Sequence, residues 1–204
     1  VSDTFDRANN NSLGATWTEY ESAAAQVAIS SNAVVVAGDA DQGAETVATF
    51  SREGLVITIT FTPDTDDDFY ALKYGTWDET DTGYLVKFVD SNNRINLLTY
   101  SGSTLLETLS SSSNAWVQDI SYVLQLRLKP AGAILYVDTG GGYQLLHESS
   151  QGTFTDRSVS FETVDDNRIG TWNDFSATSS LVKVSVTLTS GDQTLSFVVG
   201  GTPR

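Results

Sequence analysis

Apolar residues recur at every second position through most of this chain, and that period of two restricts it to extended strands. Leu55, Ile57, Ile59 and Phe61 fall on one side of the segment after the Glu53-Gly54 turn, with Thr58 and Thr60 opposite. Tyr122–Leu128 places Leu124, Leu126 and Leu128 inward and Gln125 and Arg127 outward. Val182, Val184, Val186 and Leu188 alternate in the same way with Lys183, Ser185, Thr187 and Thr189. Strands with one dry and one wet face pair in antiparallel sheets. Turn residues punctuate them at Ser31-Asn32, Pro63-Asp64, Ser91-Asn92-Asn93, Ser101-Gly102, Pro130-Ala131-Gly132, Gly140-Gly141-Gly142 and Ser190-Gly191-Asp192. That spacing leaves room for roughly a dozen strands. Residues 21–27 are the one stretch suited to a short helix, and the serine tract at 110–113 reads as a loop. The pattern predicts an all-β antiparallel sandwich.

Composition then removes whole classes of function. The 204 residues suit one β domain with an ample core. With 11 Lys plus Arg against 26 Asp plus Glu, the net charge is −15, and so negative a field repels phosphate. A general nucleic-acid binder is excluded. The sequence has no Cys and one His, which removes disulfides, thiolate metal sites and cysteine nucleophiles and leaves histidine-built centres little to work with. No apolar run approaches the roughly 20 residues of a membrane span. A surface drawn from 24 Ser and 25 Thr against four Lys is polar rather than charged, as is common outside cells. Val1-Ser2-Asp3 opens directly into polar sequence and there is no Met, so the expectation is that an initiator, alone or with a longer leader, has been removed.

A succession of segments carries a resemblance. Asp3-Thr-Phe-Asp-Arg-Ala-Asn9 and Ser12-Leu-Gly-Ala-Thr-Trp17 come first, then Phe69-Tyr-Ala-Leu-Lys-Tyr74, Gly83-Tyr-Leu-Val-Lys-Phe88 and Asn93-Arg-Ile-Asn-Leu-Leu98. Tyr122–Leu128 with Ala133-Ile-Leu-Tyr-Val-Asp138, and Arg168-Ile-Gly-Thr-Trp-Asn-Asp-Phe175, complete it. In this order the segments resemble the concanavalin A-like lectin/glucanase superfamily, in its laminin G-like jelly-roll branch, over about residues 3–177. The resemblance implies a two-sheet jelly-roll sandwich over 1–177, with 178–204 as an appended C-terminal β-hairpin. It also implies company among secreted polysaccharide-active proteins, adhesins, and tail or capsid-surface proteins of bacteriophages. Departures are visible. The glycine usual after the aspartate turn stands at Gly140, the strand before closure reads Ser158-Val-Ser-Phe-Glu162, and the terminal hairpin has no counterpart in the basic module.

Glucanases of that superfamily work with paired carboxylates in a Glu-x-Asp-x-x-Glu strand, and a retaining pair needs them about 5–5.5 Å apart. Glu79-Thr80-Asp81 begins the pattern, but Tyr84 stands where the second Glu belongs, and Glu162 and Asp165 have a different spacing. The expectation is a protein without standard glycosidase chemistry. Asp64, Asp66 and Asp68 crowd one loop as an oxygen-ligand calcium candidate, with Asp39, Asp41 and Glu45 a weaker one. Phe69 and Gly75 at the positions of the obligatory Gly and Glu exclude an EF-hand. His147 shares a strand face with Tyr143 and Leu145, has no Gly-x-Ser-x-Gly elbow to serve, and reads as structural.

Aromatic residues in polar loops are the remaining signal, because sugars stack their C–H faces on exposed rings while nearby polar groups bond the hydroxyls. The glycan-contact candidates are Trp77 with Asp78, Tyr84 just beyond them, Trp116 after the serine tract, and Tyr143 after three glycines. Trp17 and Trp172, inside strand-like sequence, are expected in the core. The expected function is a non-catalytic module that binds glycans or builds a virion or extracellular surface. A glycoside hydrolase or lyase using unrecognised carboxylates is the alternative. A purely architectural subunit, pairing with itself or with other virion or surface proteins through the terminal hairpin, is the third reading.

Overall fold

The computed structural model describes residues 1–20, 27–36, 42–64, 69–75, 82–89, 91–154, 156–163 and 170–179. They form fifteen strands, more than the turn spacing suggested. In chain order these are β1 (Ser2–Asp3), β2 (Trp17–Tyr20), β3 (Val27–Ser30), β4 (Ala33–Val36), β5 (Gln42–Thr46), β6 (Leu55–Pro63), β7 (Phe69–Gly75) and β8 (Gly83–Val89). Then follow β9 (Arg94–Ser101), β10 (Thr104–Ser110), β11 (Tyr122–Leu128), β12 (Ala133–Asp138), β13 (Gln144–Ser149), β14 (Val159–Thr163) and β15 (Gly170–Ser179). One sheet runs β13-β12-β11-β6-β15-β4-β3, with β1 paired to β15; the other runs β10-β9-β8-β7-β14-β5-β2. Sequence neighbours such as β11 and β12 form hairpins, while β6 sits between β11 and β15, strands far away in sequence. These are the two antiparallel layers of a jelly roll. Residues 21–26, the helix candidate, and 180–204, the bulk of the terminal hairpin, lie outside the described residues.

The period of two decides what lies between the layers. In β6, Leu55, Ile57, Ile59 and Phe61 are all buried while the threonines between them are half-exposed. Aromatic rings then join the layers along the interior. Phe61 packs on Trp172 at 5.1 Å and on Phe88 at 5.2 Å, and Trp172 stacks on Phe161 at 5.1 Å. Trp17 continues the row, 5.3 Å from Phe161 and 4.9 Å from Phe175. Each such pair adds about 0.5–1.5 kcal/mol beyond the area it buries. Trp17 and Trp172 are core residues, as their strand setting predicted.

The opening motif folds as a lock on this row. Asp3 accepts from the Phe5 amide at 2.9 Å, from the Trp17 indole at 3.1 Å, and from Arg7 at 2.6 Å. Arg7 also donates to the Leu13 carbonyl at 2.6 Å. Burial alone would raise the Asp3 carboxyl, but these hydrogen bonds and the Arg7 charge outweigh it and hold the pKa below 3.8. The opening segment of that resemblance therefore helps secure the fold.

Candidate functional site

The residues singled out from the sequence separate into three groups. Trp77, Asp78, Asp66, Asp68, Asp39 and Asp41 lie outside the described residues. Tyr84 and Trp116 are described and are buried, at 0% and 1% exposure, so neither ring can meet a sugar. The physical reasons are specific. Tyr84 stands opposite Tyr74 on β7 with both rings inward, and its hydroxyl lies 2.8 Å from the Gln151 carbonyl and 3.0 Å from that of Gly152. Trp116 is drawn in by the Asn92-Asn93 turn: the Ala115 amide donates to the Asn93 carbonyl at 2.8 Å, and the indole donates to the Val89 carbonyl at 3.2 Å. Tyr143 alone of the described aromatic candidates stays open, at 43% exposure.

Tyr143 is delivered by the loop before it. Asp138, at the end of β12, accepts from the Gly140 amide at 2.7 Å and from the Gly142 amide at 2.9 Å. Gly140 and Gly142 hold φ values of 100° and 97°, which side chains rarely adopt. The tightened loop brings the Tyr143 phenol to Thr58 on β6, within the fields of Asp138 and Arg127. Burial and the Asp138 carboxylate raise the phenol above its ordinary 10.0, with Arg127 and Thr58 opposing. It therefore stays neutral at physiological pH, able both to donate and to accept.

What Tyr143 joins is a row on the outer face of the β6 sheet. Thr58 pairs with Gln125, and Gln125 with Tyr136. Arg127, one step along β11, lays its guanidinium 4.5 Å from the Tyr136 ring centre and donates through Nε to Gln125 Oε1 at 2.6 Å. The outcome is a platform of an exposed phenol, a second aromatic ring and an arginine fork, held from beneath by the buried Gln125 amide, which accepts from Arg127 and donates to Thr58 at 3.4 Å. Strand alternation already placed Gln125 and Arg127 outward. Their meeting with Tyr136 and Tyr143 depends on cross-strand register, which no single strand reveals. A bulge between the β12 partners Leu135 and Tyr136 shifts β13 as well. It turns Leu145 out to 57% exposure while His147 stays buried, so the two do not share the face that plain alternation predicted. His147 donates through its Nε2–H to the Ile95 carbonyl at 2.8 Å, and burial lowers its pKa below 6.5.

Behind the same loop, a cavity of about 300 Å³ lies among Ser112, Ala115, Val137, Gly142 and Leu146. A larger one, about 550 Å³, opens elsewhere beside Arg52, Leu128, Lys129, Pro130 and Asp156. In the other sheet Glu45 on β5 and Glu162 on β14 are neighbours by the pairing of Glu45 with Ser160 and Glu162 with Gly43, and Glu162 is buried.

No protein-family model matches the sequence, and neither does any curated protein. Solved structures do match in three dimensions. A carbohydrate-binding module, CBM66 from Bacillus subtilis, aligns with a TM-score of 0.61 at 12% identity, over 80% of this chain and 96% of that one. The VIP36 exoplasmic/lumenal domain, in its Ca2+/Man3GlcNAc-bound form, aligns at 0.65 with 11% identity, over 85% and 88%. A prokaryotic β-1,3-1,4-glucanase (lichenase) from a mouse hindgut metagenome aligns at 0.68 with 7% identity, over 89% and 99%. The fold is a concanavalin A-like jelly roll. Within this jelly roll, no group of three or more His, Cys, Asp or Glu among the described residues is placed to hold a metal. Asp64 is exposed at the end of β6, and its carbonyl accepts from Gln118 at 2.7 Å.

Proposed function

We propose that this protein is a non-catalytic glycan-binding module, and that the ligand rests on the outer face of β6, β11 and β12. The observation that carries the reading is the placement of the exposed Tyr143 ring beside the Arg127–Tyr136 pair, with Gln125 and Thr58 between them. Rings offer a sugar its stacking surface, and the Tyr143 hydroxyl and the guanidinium offer bonds to its hydroxyls. Carbohydrate-binding and lectin structures of the same fold support it. An extracellular or virion-surface setting goes with this reading, as does calcium at the Asp64, Asp66 and Asp68 loop. The test is glycan-array binding of the intact chain against Tyr143→Ala. Loss of the ring should weaken binding by roughly fivefold to tenfold, the scale of one aromatic contact. Binding unchanged in Tyr143→Ala would reject this face.

The alternative is a polysaccharide-active enzyme, favoured by one observation, the diagonal placement of Glu45 and the buried Glu162 across the β5–β14 pair. It requires release of new reducing ends that Glu162→Gln abolishes.

A further inference from the structure

The platform that binds glycan in the reading above also carries a charge, and its wiring limits what ligand satisfies it. Arg127 is exposed, yet its guanidinium is fixed at two points, by Gln125 at Nε and by the Tyr136 ring beneath it. Its two terminal nitrogens have no partner among the described residues. Asp138 stands on the neighbouring β12 and Glu148 one strand further on, on β13, and both are engaged elsewhere. Asp138 holds the Gly140 and Gly142 amides. Glu148 pairs with Lys129 at 2.7 Å. The fork is thus positioned beside the exposed Tyr143 ring, with no ion-pair partner among the described residues. A guanidinium with both terminal nitrogens free matches a carboxylate in bidentate fashion, and prior fixation of the side chain removes much of the ordering entropy of binding.

Resting on the glycan-binding reading, we propose that the ligand is an acidic sugar whose carboxylate docks on Arg127 while its ring stacks on Tyr143. The charge of the whole protein narrows the class further. A formal charge of −15 opposes a long polyanion, whose successive carboxylates would cross an acidic surface. One carboxylate over one preorganised arginine is opposed far less, because repulsion from distant charges is screened beyond about 8–10 Å in physiological salt. The preferred ligand is therefore an oligosaccharide ending in a single sugar acid, a terminal uronate or ulosonate, and not a polyuronate.

The experiment uses the intact chain on an array of oligosaccharides in matched pairs, each neutral at its end or capped by one sugar acid, with polygalacturonate alongside. Arg127→Gln and Arg127→Lys are compared with the parent, and melting curves confirm that both fold. The expected result is at least a tenfold preference for acid-capped members, lost in Arg127→Gln, only partly restored by Arg127→Lys, and not exceeded by polygalacturonate. Equal binding of both members of each pair, unaffected by Arg127→Gln, overturns this inference and leaves glycan binding standing. Polyuronate binding stronger than every capped oligosaccharide overturns the single-carboxylate claim. An array bare of bound ligand overturns both readings together.

Discussion

The Arg52 guanidinium reaches the Tyr84 hydroxyl at 3.3 Å inside the sandwich, where no carboxylate among the described residues meets it. Its counter-charges are backbone carbonyls: Lys129 at 2.6 Å, Gly152 at 3.1 Å, Gly132 at 3.2 Å and Phe154 at 3.4 Å. One side chain, 7% exposed, thereby ties the loops at 129–132 and 152–154 to β8. Gly152 is fitted to the same knot. Its φ is 85°, and an added Cβ would lie 2.5 Å from the Phe154 ring and 2.8 Å from the Tyr84 hydroxyl.

Arg52→Met leaves the Lys129 and Phe154 carbonyls without their arginine donor, at about 1–3 kcal/mol each, while Gly152 and Gly132 keep backbone amide donors, so a loss of roughly 3 kcal/mol is expected. Tyr84→Phe removes one hydroxyl and should lose about 1 kcal/mol. Urea unfolding followed by tryptophan fluorescence measures both. If Arg52→Met were no worse than Tyr84→Phe, the arginine would not be the tie.

Acid should weaken the protein in two separate steps. His147 has a folded pKa lowered by burial, against which the Ile95 carbonyl pulls only partly. Below 6.5 the unfolded chain therefore binds a proton that the folded chain resists, and stability falls as pH drops through that region. Asp3 is also lowered, but as an acid: its contribution is complete above 3.8 and is lost as pH falls through the lower folded value. Melting temperature against pH should show both declines. His147→Gln should flatten the first alone and Asp3→Asn the second alone.

The fold was largely legible because alternation and turn chemistry are local. The β6 and β11 patterns could be assigned face by face from their own residues, and the order of segments carried the jelly roll. The site was less so. Tyr84 lies in a strand buried on both faces from Gly83 to Val86, where alternation carries no information. Trp116 looks like a loop residue until the Asn92-Asn93 turn, far back in the chain, pulls it under the sheet. Arg127 and Gln125 read as ordinary outward residues, because only register sets them against Tyr136. Arg52 gave no signal at all, since its partners are carbonyls of distant loops.

Calcium at the Asp64, Asp66 and Asp68 loop makes a thermodynamic demand. An ion that binds only the folded state stabilises it by about 2.7 kcal/mol at a hundredfold excess over Kd. Added calcium should raise the melting temperature and a chelator should reverse the rise. Identical curves would leave the three residues as solvated acids.

The terminal segment makes a demand on mass. Val182, Val184, Val186 and Leu188, with Leu195, Phe197 and Val199, give residues 180–204 an apolar alternation that needs cover, and a lone hairpin is marginal in water. If that cover is a second copy, light scattering should give an assembly for the full chain and a folded monomer after truncation at Ser179. A monomeric full chain that unfolds on truncation would assign the segment to its own core.

The most direct test of the central claim is where a ligand is felt. Backbone amide shifts of the labelled chain, titrated with an acid-capped oligosaccharide from the array, should move together at Thr58, Gln125, Arg127, Tyr136 and Tyr143 and saturate with one Kd. Shifts gathered instead around Glu45, Ser160 and Glu162, with the Tyr143 face silent, would contradict it.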